Sequence, residues 1–183
     1  MRILSGEFKG RKIFTPEGIR PVSERVRKSC FDILGDQVKG KRVLDLFSGS
    51  GSLGFEAISR GAEFCVFIDA NRKGISAVRR NISALALSAK TQSYLKDSFL
   101  AVKDFFAAKT TFDLIFLDPP YYREILIKSL QQLSQYDILS PSGYLVAFCY
   151  QKDAFLNESG DSRLLLQKKY GQTLLLVYRK EDR

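Results

Sequence analysis

Histidine is absent from the 183 residues. That absence removes Ser-His-Asp and Cys-His catalysis, the usual imidazole base and most zinc sites. Cysteine is scarce: Cys30, Cys65 and Cys149 stand alone, each among apolar neighbours. Their spacing offers no metal cluster, so no metal is expected, and the three read as reduced, buried core thiols. Long apolar runs are missing too; none approaches the ~20 residues that a transmembrane helix needs. The opening Met1-Arg2-Ile3-Leu4-Ser5-Gly6 contains no apolar stretch of signal-peptide length. A cytoplasmic protein with no membrane partner is therefore expected.

What is present suits one globular core. Hydrophobic residues make up 45% and charged residues 27%, and one core serves chains up to ~250 residues. The reading is a single domain over 1–183, with 1–38 as a basic N-terminal extension. The net charge of +9 is uneven. Residues 1–28 carry eight basic and three acidic side chains, residues 168–183 five and two, and the stretch between is nearly balanced. A basic arm on a near-neutral body suits a phosphate backbone.

Glycine and hydropathy patterns outline the elements. Arg2-Ile3-Leu4 and Arg11-Lys12-Ile13-Phe14 flank Gly6 and Gly10, which predicts an N-terminal β-hairpin. Ser23 suits the N-cap of a helix from Glu24, whose apolar stripe is Val26, Cys30, Ile33 and Leu34. Arg25, Arg27 and Lys28 near its start oppose the helix dipole, which favours anion binding. After Gly40, strands at Val43–Phe47, Phe64–Ile68, Thr91–Lys96, Phe112–Leu117 and Tyr144–Cys149 alternate with helices at Leu53–Arg60, Arg72–Leu87, Phe99–Ala108 and Ile125–Leu133. That alternation predicts a parallel sheet covered on both faces. Arg163–Gln167 and Thr173–Tyr178 lack a helix between them and read as a closing antiparallel hairpin.

Two loops carry chemistry. Strand Val43–Phe47 runs into Ser48-Gly49-Ser50-Gly51-Ser52-Leu53-Gly54 and then helix, the G-x-G-x-x-G arrangement that brings backbone N–H groups close to a ligand. Asp69 ends the next strand, 18 residues beyond Gly51, where a carboxylate can accept ribose hydroxyls. Asp45 lies four residues before Gly49. It would repel a dinucleotide's pyrophosphate but suits S-adenosylmethionine, which carries an ammonium and a sulfonium and no phosphate. The second loop, Asp118-Pro119-Pro120-Tyr121, follows strand Phe112–Leu117. Its prolines fix the backbone and remove two N–H donors. The Asp118 carboxylate and Pro119 carbonyl remain as acceptors for a base amino group, and Tyr121 offers a stacking face.

The resemblance follows these residues. Asp45-Leu46-Phe47-Ser48-Gly49-Ser50-Gly51 resembles motif I of the class I methyltransferases, and Asp69 their motif II acid. Asp97, with Ser98 beside it, matches the position that binds the adenine amino group in such enzymes. Asp118–Tyr121 resembles motif IV of amino-directed nucleic-acid methyltransferases. Arg2–Gly6, Lys9-Gly10-Arg11-Lys12 and Arg20-Pro21-Val22-Ser23-Glu24-Arg25-Val26-Arg27 look like the opening of the RsmD-type 16S ribosomal RNA guanine-N2 methyltransferases. The resemblance thins after about Ser140. Val22-Ser23 stands where a threonine pair is common, and Tyr121 where some relatives carry Phe.

The resemblance implies a Rossmann-like class I methyltransferase fold with a mostly parallel seven-stranded sheet. It implies S-adenosylmethionine as donor and ribosomal RNA, in a small-subunit context, as substrate; a small-subunit particle as partner and a monomeric enzyme are expected. Candidate cofactor residues are Asp45, Phe47, Gly49, Gly51, Asp69, Asp97 and Ser98. Candidate catalytic residues are Asp118, Pro119, Pro120 and Tyr121. Candidate RNA contacts are Lys9, Arg11, Lys12, Arg20, Arg25 and Arg27; one of Arg20, Arg25 and Arg27 could instead meet the cofactor carboxylate. An adenine-N6 methyltransferase on DNA or another RNA is the second reading, since Tyr121 is usual there. A nucleic-acid-binding protein without activity is the third, and a dehydrogenase a distant fourth.

Overall fold

A computed structural model describes residues 1–120, 124–153, 155 and 157–181. The chain forms two compact units, Met1–Ser98 and Phe99–Arg183.

In the first unit, helix α1 (Glu24–Leu34) begins where Ser23 caps it, the Ser23 hydroxyl accepting from the Val26 N–H. Strands β1 (Arg42–Asp45), β2 (Phe64–Asp69) and β3 (Thr91–Leu95) pair in parallel in the order β3-β2-β1. Helix α2 (Ser52–Ser59) joins β1 to β2, and α3 (Arg72–Ala84) joins β2 to β3. Val43, Leu44, Cys65, Phe67 and Val78 are fully buried. All eight residues of α2 are buried, not only one stripe. The sequence Ser52-Leu53-Gly54-Phe55-Glu56-Ala57-Ile58-Ser59 accounts for it, being apolar nearly all round.

The outer cover of α2 is the N-terminal segment. The expected hairpin is reduced to one antiparallel bridge, Arg2 to Lys12, because residues 4–8 bend away to pair with α2. Leu4 and Ser5 N–H groups donate to Glu56, the Glu7 N–H to the Ser59 carbonyl at 2.7 Å and the Phe8 N–H to the Ser59 hydroxyl. Gly6 has φ +81°, and a Cβ there would lie 1.7 Å from the Ser59 carbonyl oxygen. Only glycine permits that approach. The segment is thus a packed layer, with Ile3 and Ile13 each 2% exposed.

The second unit takes in α4 (Ser98–Ala107) from Phe99 on; α4 precedes β4 (Phe112–Leu117), and α5 (Ile125–Gln135) precedes β5 (Leu139–Tyr150). Strand β4 pairs with β5 in parallel; β8 (Thr173–Lys180) lies antiparallel between β5 and β7 (Ser162–Tyr170). The order is β4-β5-β8-β7-β6. The closing hairpin is present but longer than expected, its turn reduced to Gly171-Gln172. Strand β5 starts five residues earlier than the apolar run suggests, through Ser142 at φ +54°. A two-residue β6 (Glu158–Ser159) brings the described strands to eight, where seven were expected. No helix among the described residues is long and apolar enough to cross a membrane.

Candidate active site

Two hydrogen bonds build the glycine loop. The Gly49 N–H donates to Asp69 Oδ2 at 2.6 Å, and the Gly54 N–H to Asp45 Oδ2 at 3.1 Å. Asp69 also accepts the Asn71 N–H on Oδ1 at 2.7 Å, and the Ser48 N–H reaches the Ile68 carbonyl. The β1 loop is therefore zipped to the end of β2. The structure brings Asp45, Gly49, Gly51 and Asp69 into one cluster, with Asp97 and Ser98 just past the end of β3, which pairs with β2. Phe47 is half-buried in the loop.

The glycines have separate reasons. Gly49 and Gly51 lie at φ +53° and +84°. Gly54 has no room for a side chain: a Cβ would fall 2.3 Å from the Phe67 ring and 2.6 Å from the Cys65 sulfur. Gly54→Ala should therefore destabilise the protein by about 1–3 kcal/mol through overpacking. Urea unfolding tests this; a change below about 0.5 kcal/mol would show that the ring can move aside. Gly74, in the first turn of α3, is a glycine the sequence reading missed, and its Cβ would stand 2.8 Å from the Gly49 carbonyl oxygen.

Asp45 is 1% exposed, and its Oδ1 has no hydrogen-bond partner. Burial pushes its carboxyl up to about 7; the Gly54 N–H opposes this and the Asp69 charge adds to it. A buried, unsatisfied carboxylate oxygen is costly unless a donor or cation meets it. An ammonium group supplies both, whereas a pyrophosphate supplies neither. The donor set thus fits S-adenosylmethionine: Asp45 for the cation, the Gly49–Gly51 backbone for close approach, Asp69 for ribose hydroxyls.

In the second unit, Asp118, Pro119 and Pro120 follow the carboxyl end of β4. Pro119 is buried and Pro120 exposed. Tyr121 lies outside the described residues.

The matching model is that of the family described as conserved hypothetical protein 95, and it covers residues 1–179. The chain belongs to this family, the RsmD-type family. It is 38% identical to a putative rRNA methyltransferase, YlbH, of Bacillus subtilis (98% of this chain, 99% of the relative). It is 30% identical to the ribosomal RNA small subunit methyltransferase D of Haemophilus influenzae (97% and 93%). Among solved structures, a putative methyltransferase, yhhF, from Escherichia coli superposes with TM-score 0.88 at 27% identity, covering 100% of this chain and 99% of that one. The fold is that of the class I methyltransferases.

Lys9, Arg11, Lys12, Arg20 and Arg25 are exposed. Arg11 spends one guanidinium N–H on the Ala84 carbonyl at the end of α3. Arg27 corrects the sequence reading. It is fully buried, donates to the Arg2 carbonyl at 2.6 Å and stands 3.7 Å from Glu56, so it holds the segment in place and is out of reach of RNA. Glu56 was missed, although it is the one charged residue of α2.

Proposed function

We propose that this chain transfers a methyl group from S-adenosylmethionine to the exocyclic N2 of a guanine in 16S ribosomal RNA. The observation that carries the reading is the buried, partnerless Asp45 oxygen beside a glycine loop, a donor set made for a cation. The family match supports RNA as substrate, since relatives along nearly the whole chain are named rRNA methyltransferases. The N-terminal motif favours guanine over adenine. The acceptor is taken as a small-subunit particle in the cytoplasm, and the enzyme as a monomer.

When bound, S-adenosylmethionine supplies an electrophilic methyl on sulfur. The chain's residues do the rest. The Asp118 carboxylate and Pro119 carbonyl accept the two amino N–H groups of the base, which frees the nitrogen lone pair. Positive charge grows on that nitrogen as the N–C bond forms and the S–C bond breaks, and Asp118 stabilises it before taking one proton. Positioning supplies most of the remaining acceleration. Tyr121 is assigned the stacking face. A base inside folded RNA must be exposed first.

Labelled S-adenosylmethionine and small subunits lacking the modification test this directly. N2-methylguanosine in the digest is expected. N6-methyladenosine would establish the second reading, and no transferred label would overturn both.

Asp45 adds a pH prediction. Folded Asp45 keeps its proton to about pH 7, while an unfolded one releases it near ~4. Between those values the folded state binds more protons, so stability falls as pH rises, the penalty being absent below ~4 and complete above ~7. Ligand binding runs the other way, because the cation needs the ionised form. The cofactor Kd should fall about tenfold from pH 6 to pH 8, and Asp45→Asn should flatten that profile. Calorimetry that finds the same slope in the variant would remove Asp45 from cation binding.

A further inference from the structure

A second basic surface runs along α3, beside the glycine loop. From Ala70 to Lys96 the chain has six basic residues and no acidic one. Four of them, Arg72, Lys73, Arg79 and Arg80, belong to α3 and are exposed. Between α3 and the N-terminal segment runs a groove of about 800 Å³, lined among others by Phe14, Arg72, Lys73, Ser76 and Arg80, with no acidic side chain in its wall.

Phe14 is the unusual member. The residue is 42% exposed, yet its backbone is locked: its N–H donates to Asn81 Oδ1 at 2.8 Å, and Asn81 Nδ2 donates to its carbonyl at 3.0 Å. Asn81 is itself buried and also donates to the Ser50 carbonyl in the glycine loop. The Arg80 guanidinium sits 4.0 Å over the Phe14 ring. A rigidly mounted, exposed aromatic flanked by three cations is what stacking on an unpaired base with phosphates on either side requires.

We propose that this groove is a docking surface for substrate RNA: Arg72, Lys73 and Arg80 take consecutive phosphates and Phe14 takes a base. This rests on the reading that the substrate is RNA. Unmodified 16S RNA made by transcription is the probe, with Kd measured against salt concentration. Arg72→Ala with Arg80→Ala should reduce the log–log salt slope by roughly 1.5–2. Phe14→Leu should weaken binding by about 5- to 100-fold and leave the slope alone. Both variants should keep wild-type cofactor affinity and thermal midpoint. Lys103→Ala with Lys109→Ala, which removes two exposed lysines of the second unit, should change the slope by less. An unchanged slope in the arginine pair, or an equal loss in the lysine pair, would overturn the groove. Asp118→Ala separates the readings: it should abolish turnover with the salt slope intact, whereas the arginine pair should retain turnover at saturating RNA.

Discussion

Glu56→Ala should destabilise the protein by about 3–5 kcal/mol, the range for removing one partner of a buried ion pair. Glu56 is fully buried. It receives the Leu4 N–H at 2.8 Å, the Ser5 N–H at 3.1 Å and the Arg60 Nε–H at 2.9 Å, with Arg27 at 3.7 Å. Alanine strands two backbone donors and leaves Arg27 charged in the interior, where burial already lowers its pKa. Urea unfolding of three variants separates these effects. Arg27→Met removes the charge facing Glu56 and the guanidinium contacts to the Arg2 carbonyl and the Met1 sulfur, but leaves Glu56 its two amides and Arg60, so it should be milder. Arg27→Met combined with Glu56→Ala should not recover wild-type stability, because the Leu4 and Ser5 amides still lack an acceptor, at about 1–3 kcal/mol each. A loss below about 1 kcal/mol for Glu56→Ala would show that water replaces the carboxylate and that the segment is held by its apolar contacts alone.

That test bears on function as well as on folding. The fastening of residues 4–8 to α2 helps to position the exposed cations Lys9, Arg11 and Lys12. Glu56→Gln keeps one acceptor and should retain more of the RNA affinity than alanine, although neither side chain can touch RNA.

Local chemistry was the legible part of this protein. Strand β4 falls on the residues its apolar run marks, Phe112–Leu117. Glu24 starts α1 because a serine cap needs nothing beyond its own turn. The Gly49–Asp69 bond joins residues 20 positions apart, yet it was readable because glycine spacing and a strand-ending acid are both local signals. What failed depends on partners far along the chain. The N-terminal hairpin shrinks to one bridge because Ser59 and Glu56 compete for its amides. Arg27 looked like a solvent cation in a basic run, and only the position of Glu56 draws it inside. The basic face of α3 was hidden by averaging charge over the long middle stretch, where acids elsewhere cancel six uninterrupted cations. Gly74 gave no motif, since its reason is the Gly49 carbonyl across the loop.

Asp118→Ala should lower turnover by about 100- to 1,000-fold, the range for losing a group that stabilises developing charge. The reasoning is differential. In the proposed role, the carboxylate would accept an N–H of the neutral base modestly and form a far stronger charge-assisted bond once the nitrogen becomes cationic. The loss should therefore fall on kcat more than on the RNA Kd. Asp118→Asn keeps an acceptor oxygen but no charge, so it should lie between wild type and alanine. Its remaining activity measures orientation alone, and the gap to wild type measures the charge. Pro119 and Pro120 sharpen the test, because two consecutive rings hold the turn against collapse in either variant. Single-turnover methylation of unmodified small subunits, with cofactor affinity measured alongside, reads these terms separately. If alanine raised the RNA Kd and left the saturated rate unchanged, Asp118 would be a binding residue, and proton removal would have to fall to solvent.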